Sequence, residues 1–240
     1  QTQDLGATLS TKFTIDESLS ESEQTLRNLN LKVQKPKEGV PDFSKTATTD
    51  ETKDGLFSME DDYGTSYYYR GAVNNNYVKF GKNKDEEDMW WRIIRINGDG
   101  SLRILYDGTQ GWANGIANNN RLAIVNQQWN TIYDDAKYAG WMFGGAQGEA
   151  STSYEQATRN ETNSEIKTVA DNWYIENIKN TGYSKYLSDE IFCNDRTAYT
   201  DEAGTIPGNG YGNLYTCYGG RTRLRTNIMP SFKCPQKNDM

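Results

Sequence analysis

The sequence predicts an α+β domain: a twisted, mostly antiparallel sheet, one main helix, and long loops rich in Gly and Asn. Three observations predict it. Two strand-like runs, WWRIIRI (90–96) and SLRILYD (101–107), flank Asn97-Gly98-Asp99-Gly100, residue types that turn a hairpin. One segment, 163–180, carries a helical period. Apolar residues make up only 35%, with 16 Tyr against 7 Phe, a profile of half-buried strands and polar loops rather than of a helical bundle.

The elements follow in order. Residues 1–55 differ from the rest and are expected to form an N-terminal helix followed by a linker-like segment. Ser20 with Glu23 has the capping-box pattern, and Leu19, Leu26, Leu29 and Leu31 punctuate a polar stretch, so a short helix is expected over 18–30. The run QKPKEGVPDFSKTATTDETKDG after it reads as irregular. From 56 to 240 the chain is expected to be one α+β extracellular domain. YYYRGAV (67–73) and YVKF (77–80) are strand candidates joined by Asn74-Asn75-Asn76. In the 90–107 hairpin, strict alternation puts Trp91, Ile93 and Arg95 on one face and Trp90, Arg92, Ile94 and Ile96 on the other. Both faces are largely apolar, so both strands are expected to be central, with Ile94 and Leu105 buried. The acidic run 84–88 reads as a solvated loop. Residues 108–160 read as ordered loops with a short strand near 138–143. Ile166, Val169, Ala170, Trp173 and Asn177 make the inner face of the 163–180 helix, started by Asn163 or Ser164.

Composition excludes several functions. The chain has no His, so a Ser-His-Asp or Cys-His relay and any imidazole zinc site are impossible within it. The net charge of −7 argues against a nucleic-acid partner, because phosphate contacts need clustered Lys and Arg. No stretch approaches the roughly 18 apolar residues of a membrane span. No metal and no cofactor is expected. The three cysteines, Cys193, Cys217 and Cys234, are not in metal-ribbon spacing; one disulfide plus a thiol, or three thiols, are both open. Few Cys, no His and abundant Asn and Thr suit an extracellular, secreted or cell-surface protein.

Several motifs bear on chemistry. Asn97-Gly-Asp99-Gly-Ser101 resembles the start of a calcium loop, but Leu102 and Gly108 fall where that loop needs Gly and Glu, so a hairpin turn is expected. Asp61-Asp62 and Asp134-Asp135 are paired carboxylates of the kind a glycan-active enzyme needs. Asn160-Glu161-Thr162 is an N-glycosylation sequon. Arg221, Arg223 and Arg225 share a strand face and offer an anion-binding edge. Loop aromatics among amides are what sugar rings pack on, so Trp112, Trp129 and Tyr211 are the expected ligand-binding residues. The competing expectation is that these rings anchor loops onto the sheet.

DDYGTSYYYRGAV, WWRIIRINGDGSLRILYDGT, an ANG loop, IKTVADNWYIENI, FCNDR and KCPQKND occur in this order over roughly residues 40–240. The combination resembles a family of uncharacterised cell-surface or secreted proteins of Gram-positive bacteria, many of them membrane-anchored or prepilin-like precursors. The resemblance implies a C-type-lectin-like fold. It implies that the domain continues past the CPQ segment, so this chain is expected to be truncated at its C-terminus. It also implies a disulfide between Cys193 and Cys234, leaving Cys217 as the odd thiol. The function expected is a surface binding or adhesion module with a glycan or protein ligand. The alternatives are a pilus or fibre subunit that self-associates and a carboxylate-dependent glycan-active enzyme.

Overall fold

The computed structural model describes residues 16–29, 41–44, 56–71, 73, 76–112, 116–130, 141–147, 153–157, 159–190, 224–225 and 227–234. Two compact units divide the chain. The first comprises Gln1–Ala123, Glu176–Asp189 and Ser231–Lys233; the second comprises Ile124–Ile175, Glu190–Pro230 and Cys234–Met240. Antiparallel sheets with one main helix make this an α+β protein, as the residue pattern predicts.

The first unit is built on five strands: β1 (Leu56–Glu60), β2 (Thr65–Tyr69), β3 (Tyr77–Lys82), β4 (Asp88–Ile96) and β5 (Leu102–Tyr106). All pairings are antiparallel. β4 is the longest strand and the hub. Its C-terminal end pairs with β2 and its N-terminal half with β3, while β5 pairs along it through the hairpin. Asn76 fills the position just before β3: its carbonyl accepts from the Ile93 N–H at 2.8 Å and its side-chain amide donates to the Ile93 carbonyl at 2.9 Å. A side chain thus continues the ladder where β3 has not yet begun.

The hairpin corrects the alternation expected of it. Ile93 pairs with Ile104 but Arg95 pairs with Arg103, so Ile94 is an extra residue, a β-bulge. The bulge advances the phase by one. Met89, Trp91, Ile93 and Ile96 then share the buried face, and Ile96 leaves the face of Trp90 and Arg92. Ile94 is 43% exposed and Leu105 58% exposed, against the expected burial of both. β4 is central; among the described residues β5 pairs only with β4, so within them the hairpin is not a central pair.

The turn between β4 and β5 is packed from outside. Asp61 accepts from the N–H groups of Tyr63 (2.8 Å) and Gly64 (3.0 Å) through one oxygen and from Gly98 (2.9 Å) through the other. A Cβ on Gly98 would sit 2.5 Å from the Gly64 nitrogen, so only glycine fits this crossing of two chains. Gly100, at φ +83, supplies the left-handed turn residue. Helix α1 (Glu21–Asn28) docks here. Ser20 and Glu23 close the capping box reciprocally, as expected. Ser22, fully buried, donates to the Thr65 carbonyl at 2.6 Å, and Thr25 donates to that of Gly100 at 2.6 Å. Two hydroxyls therefore tie the helix to β2 and to the turn.

In the second unit, strands β6 (Met142–Phe143) and β7 (Thr162–Asn163) pair antiparallel. A short helix, α2 (Tyr154–Ala157), lies between them in sequence, and α3 (Glu165–Tyr174) follows. Ser164, not Asn163, caps α3. The helix expected over 163–180 is α-helical only to Tyr174 and continues as a π-helical turn, Ile175–Lys179. The acidic run 84–88 is exposed as expected, apart from a half-buried Asp88.

Candidate functional site

The first turn of α3 fixes the main chain of two tryptophans. An α-helix leaves its first N–H groups without partners inside the helix. Here the Glu165 N–H donates to the buried Asn130 side chain (3.3 Å), the Ile166 N–H to the Trp129 carbonyl (3.2 Å), and the Lys167 N–H to the Ser164 hydroxyl (3.2 Å). The Ser164 N–H donates to the Trp141 carbonyl at 3.1 Å. Trp129 and Trp141 are thereby held to the same helix start by their backbones. Their rings meet at 5.9 Å in a T-shaped contact, and they remain 50% and 39% exposed. Gln128, next to Trp129 in sequence, donates to the Glu165 carboxylate in the first turn of α3 at 2.9 Å. The arrangement offers a pair of exposed rings on main chain that is held in place. Trp129 was legible as a site residue; Trp141 was seen only as one loop aromatic among many. No sequence signal joins them, because each reaches the helix start through its backbone carbonyl.

Trp112, the second expected ring, is differently used. It is half-buried in the first unit. Its carbonyl accepts from Arg92 at 2.9 Å, and its N–H donates to the Tyr77 hydroxyl at 3.0 Å. This belongs to a buried network. Asp107 receives Arg92 Nε at 2.9 Å and Arg121 Nε at 2.6 Å, and the Arg92 guanidinium lies 3.9 Å from the Tyr77 ring centre. Arg92 and Asp107 are both buried, and sequence reading missed them, because a charged residue within a strand ordinarily reads as solvated. The network's chemistry is cross-linking: two cations and a phenol around one carboxylate tie Asp107, Trp112 and Arg121 to β3 and β4.

Of the remaining expected residues, Arg225 is exposed. Tyr211, Arg221, Arg223, Cys193, Cys217 and the Asp134-Asp135 pair lie outside the described residues. Cys234 is buried. Asp61 spends its carboxylate on three backbone N–H groups, with Arg95 at 4.0 Å. Asn97-Gly-Asp99-Gly-Ser101 is a hairpin turn, with Asn97 buried and accepting from Arg95 Nε and Arg103 Nε. Among the described residues no cluster of three metal-ligating side chains occurs, and no helix is long and apolar enough to cross a membrane.

Compared with known proteins, the chain matches no family model, no curated protein and no solved structure. The class that its geometry defines is an α+β protein with an exposed, backbone-anchored tryptophan pair.

Proposed function

We propose that the chain is an extracellular binding or adhesion module of a bacterial surface and that its ligand is a glycan. The observation that best supports this reading is the exposed Trp129–Trp141 pair on main chain held by the start of α3. Sugar rings present apolar C–H faces that pack on aromatic rings, and their hydroxyls take amide and carboxylate partners such as Gln128 and Glu165. A platform already held in place lowers the ordering cost of binding. The surface location and the Cys193–Cys234 disulfide belong to the same proposal and rest on the family resemblance. Acrylamide should quench the emission of this pair strongly. On a glycan array, Trp129→Ala and Trp141→Ala should each weaken the hits about tenfold, the equivalent of about 1.4 kcal/mol. An array without hits, or hits that survive both substitutions, overturns the glycan ligand.

A second reading, a fibre subunit, is favoured by β5. Its Leu105 side chain is exposed, as is Ile94 on β4, and exposed apolar side chains mark sites of association. Sedimentation across a concentration series separates the readings: a fibre subunit polymerises, and a binding module stays monomeric.

A further inference from the structure

The turn between β3 and β4, together with Glu176 of the π-helical turn and Asn180, Thr181 and Tyr183 beyond it, lines a cleft of about 530 Å³ within the first unit. Its volume falls in the range of small-molecule sites. Both walls are braced. Asn83 organises the turn by accepting from the Asp85 N–H (3.0 Å) and the Glu87 N–H (2.9 Å). The Lys84 N–H donates across to the buried Asn177 side chain at 3.2 Å, and Thr181 donates to the Asn177 carbonyl at 2.7 Å. The same two walls carry departures from relaxed backbone. Glu86, on the rim, sits at φ +63, and residues 175–179 form a π-helical turn. Such departures persist where surrounding structure enforces them, and they concentrate at functional sites.

The lining has a definite chemistry. Tyr183 contributes an aromatic ring, backed by Phe80 at 5.7 Å and lying against Gly81, where a Cβ would approach it to 3.1 Å. Lys82 and Lys84 are balanced by Glu86 and Glu176, so the cleft favours neither an anion nor a cation. Lys82 is already engaged, donating to the Glu86 carbonyl at 3.0 Å and pairing with Asp88 at 3.5 Å. Glu176 and Asn180 make no side-chain hydrogen bond or ion pair with a described residue, leaving acceptors and a donor for a ligand.

We infer that this cleft is a saccharide-binding site separate from the tryptophan pair: a neutral sugar ring lies with its C–H face on Tyr183 and its hydroxyls bonded by Glu176 and Asn180. The inference shares its ligand class with the reading above but uses residues of the other unit. The test is a ¹H–¹⁵N titration of the whole chain with the neutral probes chitotetraose and cellotetraose. Amides of 82–86 and 176–183 should shift saturably with at least one probe. Glu176→Gln and Asn180→Ala, at exposed positions that leave the fold intact, should each weaken that binding about threefold or more, the scale of one lost hydrogen bond. Tyr183→Ala should weaken it further, and Trp129→Ala should leave it unchanged. No saturable shift in these segments with either probe overturns the site, as does a shift insensitive to both polar substitutions. Shifts confined to the Trp129 and Trp141 indoles would overturn the cleft and leave the tryptophan platform standing. Shifts in the cleft alone would do the reverse.

Discussion

Asp107 shows how one carboxylate can hold a loop to a sheet. Burial pushes its pKa up, but hydrogen bonds from Arg121, Tyr77 and Arg92, with the Arg121 charge, outweigh burial and hold it below the ordinary 3.8. A depressed folded-state pKa contributes stability that is present above the unfolded value and lost as pH falls through the folded one. Tm measured across acid pH should therefore begin to fall as pH drops through the ordinary carboxylate value. Asp107→Asn should flatten that fall. At neutral pH it should cost about 3 kcal/mol, because Arg92 keeps a buried charge without its partner. A variant with the acid slope of the parent would show that Asp107 does not carry it. Tyr69 reports on burial alone, which pushes its hydroxyl to about 12. It should be among the last tyrosines to ionise in an alkaline absorbance titration. Gly98 illustrates a purely steric demand. Gly98→Ala should cost about 2 kcal/mol or more in denaturant melts, since the new methyl group meets backbone that cannot move aside.

Among the elements, β4 organises the first unit, and its bulge decides which side chains face the core. Ile93 and Ile96 are fully buried although they are three residues apart, a spacing that a regular strand would place on opposite faces. Ile94→Asp and Leu105→Asp should each change stability by about 0.5 kcal/mol or less, as exposed substitutions do. Ile93→Ala should cost about 3 kcal/mol through the cavity it leaves. Equal costs at Ile93 and Ile94 in urea melts would mean that the bulge is misplaced. The capping box of α1 and the helix starts were legible, because they depend on residues three apart in sequence. The bulge was not. An extra residue in one strand is visible only against its partner's register, and the alternation of 90–96 carries no trace of it.

For the whole molecule, the decisive question is compartment. If the Cys193–Cys234 disulfide forms, thiol titration of denatured, unreduced protein should find one thiol, that of Cys217. Three thiols would remove both the bridge and the extracellular assignment. The net charge of −7 opposes self-association in solution at low ionic strength, so any polymer built through β5 should be favoured by added salt. A light-scattering salt series would read this directly.

Local signals in the sequence determined the α+β class, the 97–100 turn, the capped starts of α1 and α3, and the exclusion of histidine chemistry. Each rests on residues within a few positions of one another, or on simple absence. Tertiary structure alone decided that Arg92 and Asp107 are buried partners, that Asn76 extends the ladder of β3, and that Trp112 is half-buried while Trp129 stands out beside Trp141. The physical reason is common to all three. Whether a polar group is satisfied, or a ring is wet, depends on what distant segments bring to it. Asp107 lies 15 residues from Arg92 and 14 from Arg121, and only the folded chain puts all three within hydrogen-bonding distance.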